Sequence, residues 1–247
     1  ADDRISQIHS FDYRNPKQLT DGAVLIVGAG SSGSQIADEL LRAGRKVYLS
    51  IGPHDRPPRS YRGKDFVWWL WTLGKWQKKT PPIGKEHVTI SVSGAYGGKT
   101  VDFRKFAHRG MKLLGMTKAY ANGVITIADD LAKNIANGDA NYLGLLTEAD
   151  EYIKVNNLDF PAEEDAKLIM PDPACLTSPI RQLDLVDAGI KTVLWATGYI
   201  QDFSWLKADV FDDQKKPVHK KGVATIDGIY FIGLPWLSMR GSSFIWG

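Results

Sequence analysis

The run Gly28-Ala29-Gly30-Ser31-Ser32-Gly33 constrains this chain more than any other feature. It directly follows the apolar stretch Gly22-Ala23-Val24-Leu25-Ile26-Val27 and directly precedes Ser34-Gln35-Ile36-Ala37-Asp38-Glu39-Leu40-Leu41. A short apolar run of this kind reads as a buried strand, and the apolar spacing after the glycines reads as a helix. Gly44 then supplies a helix stop, and Lys46 to Ser50 a second strand. A GxGxxG in that setting has a physical purpose at each glycine. Gly28 permits the tight turn, Gly30 lets backbone approach a pyrophosphate, and Gly33 lets the helix lie close on the strand. The unpaired N–H groups at the helix start attract negative charge, so Gly28 to Gln35 is expected to bind a dinucleotide. The alternative is a glycine-rich turn with a structural purpose only.

The end of the second strand discriminates between nucleotides. An Asp or Glu there would hold a ribose hydroxyl and repel a 2′-phosphate. This chain has Ser50, which can donate a hydrogen bond, and Arg56, Arg59 and Arg62 follow shortly after it. NADP is therefore expected over NAD, with Ser50, Arg59 and Arg62 as phosphate contacts; the other reading makes the arginines decorations of a solvated loop. A short-chain dehydrogenase is excluded. Its helical Tyr-x-x-x-Lys would have to be Tyr13 to Lys17, which precedes the glycines and contains Pro16.

Composition narrows the class further. The 247 residues are 43% hydrophobic and 24% charged, which suits one large folded domain or two modest ones. A single cysteine, Cys175, rules out an internal disulfide, a dithiol redox pair and a four-thiolate zinc site. His54, His87, His108 and His219 are too dispersed to suggest metal ligation. A net charge of +3, from 31 basic and 28 acidic residues, argues against nucleic acid as the main partner. No apolar run approaches the roughly 20 residues of a membrane-spanning helix, and Ala1-Asp2-Asp3-Arg4 does not open a signal peptide. A cytoplasmic location is expected.

Two further segments, together with one ahead of the glycines, carry a family resemblance. Thr192 to Tyr199 reads as a buried strand ending in Ala196-Thr197-Gly198-Tyr199. Gly228 to Gly233 reads as another strand, opening into Gly233-Leu234-Pro235-Trp236 and Arg240-Gly241-Ser242. With His9 to Arg14 ahead of the glycines, this order resembles the flavin-containing monooxygenases and their Baeyer–Villiger relatives. The F-x-G-x-x-x-H phrase of the family is not matched, since Asp3 and Ile5 stand where Phe and Gly would.

The resemblance implies an α/β fold with a Rossmann-like parallel sheet in an NADP domain, plus strands of a two-dinucleotide-domain flavoprotein. Residues 1–16 would be a linker from an FAD domain, 17–190 the NADP domain, and 191–247 the later part of the FAD domain. No second GxGxxG occurs, so an N-terminal FAD-binding half is expected to be missing, and the apolar ending Phe244-Ile245-Trp246-Gly247 also suggests a cut chain.

The implied cofactors are FAD and NADP, and the implied activity is NADPH-dependent monooxygenation through a flavin (hydro)peroxide. Substrates would be an amine, a sulfide or a ketone, with dioxygen as co-substrate. Ala196, Thr197 and Gly198 would lie near the flavin, as would Gly233, Leu234, Pro235, Trp236, Arg240 and Ser242. His9 could respond to domain movement, or be an ordinary surface group. Rival readings are an FAD/NADP oxidoreductase that does not oxygenate and a noncatalytic NADP-binding module; homo-oligomerisation stays open. The aromatic segment Phe66 to Trp76 is expected to be helix core, Asp129 to Lys167 a solvated elaboration with short helical patterns, and Cys175 structural.

Overall fold

The computed structural model describes residues 5–79 and 89–243. Ala1 to Arg4, His87 and the ending Phe244 to Gly247 lie outside them. In chain order the elements are β1 (Ser6–His9), β2 (Ala23–Val27), α1 (Ser31–Arg42), β3 (Val47–Ser50), the pair β4 (Ser60–Tyr61) and β5 (Lys64–Asp65), and α2 (Phe66–Thr72). There follow α3 (Phe103–His108), β6 (Lys112–Leu114), β7 (Thr117–Ala121), β8 (Val124–Ile127) and α4 (Leu131–Val155). Last come α5 (Ala174–Thr177), β9 (Gln182–Asp184), β10 (Ile190–Trp195), β11 (His219–Lys220) and β12 (Val223–Ala224). The chain divides into two compact units, one of residues 1–66 and 89–197, the other of residues 67–88 and 198–247.

The first unit is built on a five-stranded sheet in the order β1-β10-β2-β3-β6, and every pairing in it is parallel. Both faces of such a sheet must be covered at its centre, and β2 and β3 are buried along their whole length. Strand alternation sends Val24 and Ile26 to one face, where they pack with Ile36, Leu40, Phe103, Phe106, Leu131 and Ile135 of the helices. It sends Ala23, Leu25 and Val27 to the other face, against Ile125, Ile127 and Leu183. Those residues belong to a three-stranded antiparallel sheet, β7-β8-β9. The result is the Rossmann-like α/β architecture expected from the sequence.

Three details of the first unit depart from the sequence reading. The segment expected to be a linker contributes β1, an edge strand in register with β10. The strand expected in the FAD part is β10, hydrogen bonded between β1 and β2, so the first compact unit runs to Thr197 and not to 190. An apolar strand takes the partner that buries both its faces, and Val193 and Leu194 find core on opposite sides of this sheet. The polar-looking region 129–167 holds one 25-residue helix, α4, whose Leu131, Ile135, Leu145, Leu146, Ala149 and Ile153 are buried. Its apolar stripe is diluted by Asn, Gly and Asp, which conceals the period.

In the second unit, Phe203, Phe211 and Phe231 cluster at ring-centroid separations of 5.6–6.5 Å. The expected strand at 228–232 is not formed; Tyr230 makes an isolated bridge to Val223. Phe231 turns toward the ring cluster, while Tyr230 and Ile232 are 72% and 75% exposed. The aromatic segment forms α2 as expected, with Trp69 and Leu70 buried and Trp71 exposed.

Candidate dinucleotide site

The carboxyl ends of four neighbouring strands align at His9, Trp195, Val27 and Ser50. From β2 the chain passes through α1 to β3 on one side, while β10 flanks β2 on the other. The strand order therefore reverses at the end of β2, and open α/β sheets bind ligands at such a point. The glycine loop leaves the sheet there.

The three glycines do different things. A Cβ on Gly33 would stand 2.0 Å from the Gly28 carbonyl oxygen, and one on Gly28 would stand 2.4 Å from that of Ala196. Both positions are glycine because backbone meets backbone, and Gly28 also has φ 103°. At Gly30 the nearest atom would be a methyl group of Thr89 at 3.3 Å, so internal packing explains that glycine least. Gly30 is the N-cap of α1 and supplies no side-chain cap. Among the described residues no hydrogen bond closes on the amides of Gly30, Ser32 or Gly33. Free amides at a twelve-residue helix start, beside a glycine that leaves room, suit a pyrophosphate.

The rest of the motif supports this cradle. Ser34 is buried and donates to the Ala29 carbonyl at 2.9 Å. Ser31 donates to the Ile90 carbonyl at 3.0 Å, Ser32 is exposed, and Gln35 is half-buried in the first helical turn. Ala196 closes the crevice beside Gly28 by donating its N–H to the Val27 carbonyl at 2.8 Å.

Other expected contacts are engaged elsewhere. Ser50 is 2% exposed. It donates to the Gly115 carbonyl at 2.9 Å and accepts from the Thr117 amide and hydroxyl, both at 3.0 Å. Its proton is committed to the β3–β6 junction and is not offered to a 2′-phosphate. Arg59 pairs with Asp65 and lies over the Phe66 ring. Arg62, at φ 48°, pairs with Asp150 at 2.9 Å. Arg56 is buried against Asp139 at 2.7 Å, and Arg104 shares that carboxylate. These guanidinium groups tie the 52–65 segment to α4 and to its own hairpin.

His9 ends β1, and its Nδ1 accepts the Phe11 amide at 3.2 Å, the geometry of a turn. Thr197 lines a cavity of about 460 Å³ on the β7–β8–β9 face of the sheet, together with Val27, Tyr120, Ile125, Val193 and Trp195. Trp195 is held there by an indole N–H bond to Gln7 at 3.0 Å.

The candidates in the second unit form no comparable cradle among the described residues. Gly198 and Gly233 take positive φ angles of 89° and 75°, and Trp236 one of 59°. Leu234 and Pro235 lie in the turn that follows Gly233. Arg240 donates its amide to the Lys78 carbonyl at 2.9 Å and stacks over Trp76. Ser242 is buried and accepts the Ser238 and Met239 amides at 3.1 and 3.0 Å, so it closes its own turn.

Sequence reasoning missed Ser91. It is fully buried and donates its hydroxyl to the Ala29 carbonyl, 62 positions away. No local pattern announces a serine that acts at such separation. Cys175 is half-buried against the helical face of the core, and burial pushes its thiol up, which suits the structural reading.

Comparison with known proteins places these features. Residues 4–56 match the family model described as flavin-binding monooxygenase-like. An uncharacterized CzcO-like oxidoreductase of Geobacillus kaustophilus is 30% identical over 99% of this chain and 54% of its own length. An uncharacterized CzcO oxidoreductase of Bacillus subtilis is 26% identical over 99% of the chain and 55% of its length. Flavin-containing monooxygenase 5 of Cavia porcellus is 26% identical over 82% of the chain and 32% of its length. Among solved structures, a flavin monooxygenase from Stenotrophomonas maltophilia aligns with a TM-score of 0.49 and 13% identity, over 97% of this chain and 50% of that one. The chain spans about half the length of the curated relatives it matches. No described helix is long and apolar enough to cross a membrane.

Proposed function

This chain belongs to the flavin monooxygenase family of oxidoreductases, and from that premise we propose that it is the NADPH-binding part of a flavoprotein monooxygenase. One observation carries the reading: the glycine loop, the free amides of α1 and the reversal of strand order fall at the same place on the sheet. The pyrophosphate would lie on the amides of Gly30, Ser32 and Gly33. The adenosine half would run toward the end of β3, and the nicotinamide half toward Ala196 and Thr197 at the end of β10.

NADP is favoured because β3 ends at Ser50 and continues into Ile51-Gly52, without a carboxylate there to repel a 2′-phosphate. The arginines do not carry that preference, since each is paired with an aspartate. When bound, the nicotinamide supplies a hydride and the flavin of the complete protein supplies the oxygen chemistry. This chain's own part is to bind and orient: α1 aims its amides, and Gly28 and Gly33 let β2, α1 and β10 approach closely enough to shape the crevice. Amines, sulfides and ketones are the proposed substrate classes of the complete protein.

A second reading has support in the relatives' names. Among the curated sequence relatives, those aligned over nearly the whole chain are called oxidoreductases, whereas the flavin-containing monooxygenases align less completely. An NADPH oxidoreductase that does not oxygenate would share this site. Titration of the protein with NADPH and NADH tests the nucleotide reading: NADPH should bind more tightly, and Gly30→Val should abolish binding. Unchanged affinity in that variant would refute the site. Oxygenated product formed per NADPH consumed, measured on the full-length protein, separates the two activities.

A further inference from the structure

The carbonyl of Ala29 lies within the glycine loop and receives two hydroxyl hydrogen bonds, one from Ser34 at 2.9 Å and one from Ser91. Two donors saturate the two lone pairs of a carbonyl oxygen. Ser91 is fully buried, and its position is set by a strap of residues remote from the motif. The Asp55 amide donates to the Thr89 carbonyl, and the Ser91 amide donates to the Asp55 carbonyl, both at 2.8 Å. Ser31, in the first turn of α1, donates to the Ile90 carbonyl at 3.0 Å and accepts the Val92 amide at 3.4 Å. The strap is thus fastened to the loop after β3 and to the glycine motif itself.

A trans peptide is planar, so its carbonyl and its N–H point in opposite directions. Drawing the Ala29 carbonyl onto two buried hydroxyls turns the Gly30 N–H away from them. That amide takes no partner among the described residues. The reversed peptide would present a carbonyl oxygen in place of the amide and would repel a phosphate.

We propose that Ser91 is a positioning residue for pyrophosphate recognition: together with Ser34 it locks the Ala29–Gly30 peptide in its anion-accepting orientation. The proposal rests on the dinucleotide reading above and adds to it a residue from outside the glycine motif. The hydroxyl of Ser91 touches no ligand and acts through the peptide it holds.

The test compares wild type with Ser91→Ala by titration with NADPH and with inorganic pyrophosphate. The amide resonance of Gly30 and the indole resonance of Trp195 are followed by NMR. Loss of one buried hydrogen bond should weaken both ligands about tenfold. It should also move the Gly30 amide resonance before any ligand is added, while the Trp195 indole resonance stays in place. A merely structural role would not displace Gly30 selectively. Should Ser91→Ala fail to fold, Ser34→Ala removes the other hydroxyl from the same carbonyl and gives the same readouts. Wild-type affinity together with an unmoved Gly30 amide would overturn the proposal. Absence of nucleotide and pyrophosphate binding in wild type would instead overturn the dinucleotide reading, and the ligand-free Gly30 resonance would still decide whether Ser91 sets the peptide.

Discussion

Replacing Asp139 with alanine asks whether the arginines after β3 hold the fold or hold a phosphate. The Asp139 carboxylate receives Arg56 at 2.7 Å and also Arg104, and the three side chains are 13%, 5% and 10% exposed. Removing one member of a buried ion pair typically costs about 3–5 kcal/mol, because the surviving charge is left without compensation. Arg104 would keep Asp172 at 2.8 Å, and Arg56 would keep the Val101 carbonyl at 3.1 Å and the Tyr142 ring at 4.4 Å. Those residual partners place the expected loss at the lower end, about 3 kcal/mol, or roughly 6–12 °C in melting temperature for a unit of this size. Urea unfolding should show a lower midpoint with an unchanged slope. The ratio of NADPH to NADH affinity in the folded protein should not change. A loss below about 1 kcal/mol would show that water, not the aspartate, satisfies these guanidinium groups. A collapse of the NADPH preference would restore the arginines as phosphate ligands and refute their assignment to α4.

Three further outcomes are expected. Gly33→Ala should destabilise the protein and abolish NADPH binding, since its Cβ meets the rigid Gly28 carbonyl at 2.0 Å; overpacking of about 1–3 kcal/mol outweighs the roughly 1 kcal/mol gained from helix propensity, and a stable variant with intact binding would contradict the geometry. Ser50→Ala should lower stability by about 1–2 kcal/mol in urea titrations and leave the NADPH:NADH ratio unchanged, whereas an altered ratio would return Ser50 to the nucleotide site. His54 is buried with its Nδ1 on the Gly52 carbonyl at 2.9 Å and its Nε2 without a partner among the described residues, and burial holds its pKa below the ordinary value of about 6.5. As pH falls below about 6.5 the unfolded chain binds a proton that the folded one refuses, so stability falls by up to about 1.4 kcal/mol per pH unit until the folded pKa is reached. Unfolding from pH 7.5 to 5 should show that slope in the wild type and its absence in His54→Leu, and identical slopes would exclude His54 as the cause.

The sequence by itself determined the strand–loop–helix start of the fold, because those interactions are local. An apolar run, three glycines at fixed spacing and an amphipathic helix carry their physical reasons within some twenty residues, and β2, the glycine loop and α1 stand where those reasons put them. The presence of β10 could also be read from its apolar composition, but its partner could not. Only the packing of both its faces placed it between β1 and β2, which moved the unit boundary to Thr197. The arginines look alike in sequence and differ only in what folds against them: α4 brings Asp139 and Asp150 to Arg56 and Arg62, 83 and 88 positions along the chain. Ser50 was taken by the β6–β7 turn in the same way. Ser91 is the clearest case. A buried hydroxyl acquires a purpose only when the tertiary structure sets it on the Ala29 carbonyl, because hydrogen bonds are short and directional and their partners are chosen by the fold.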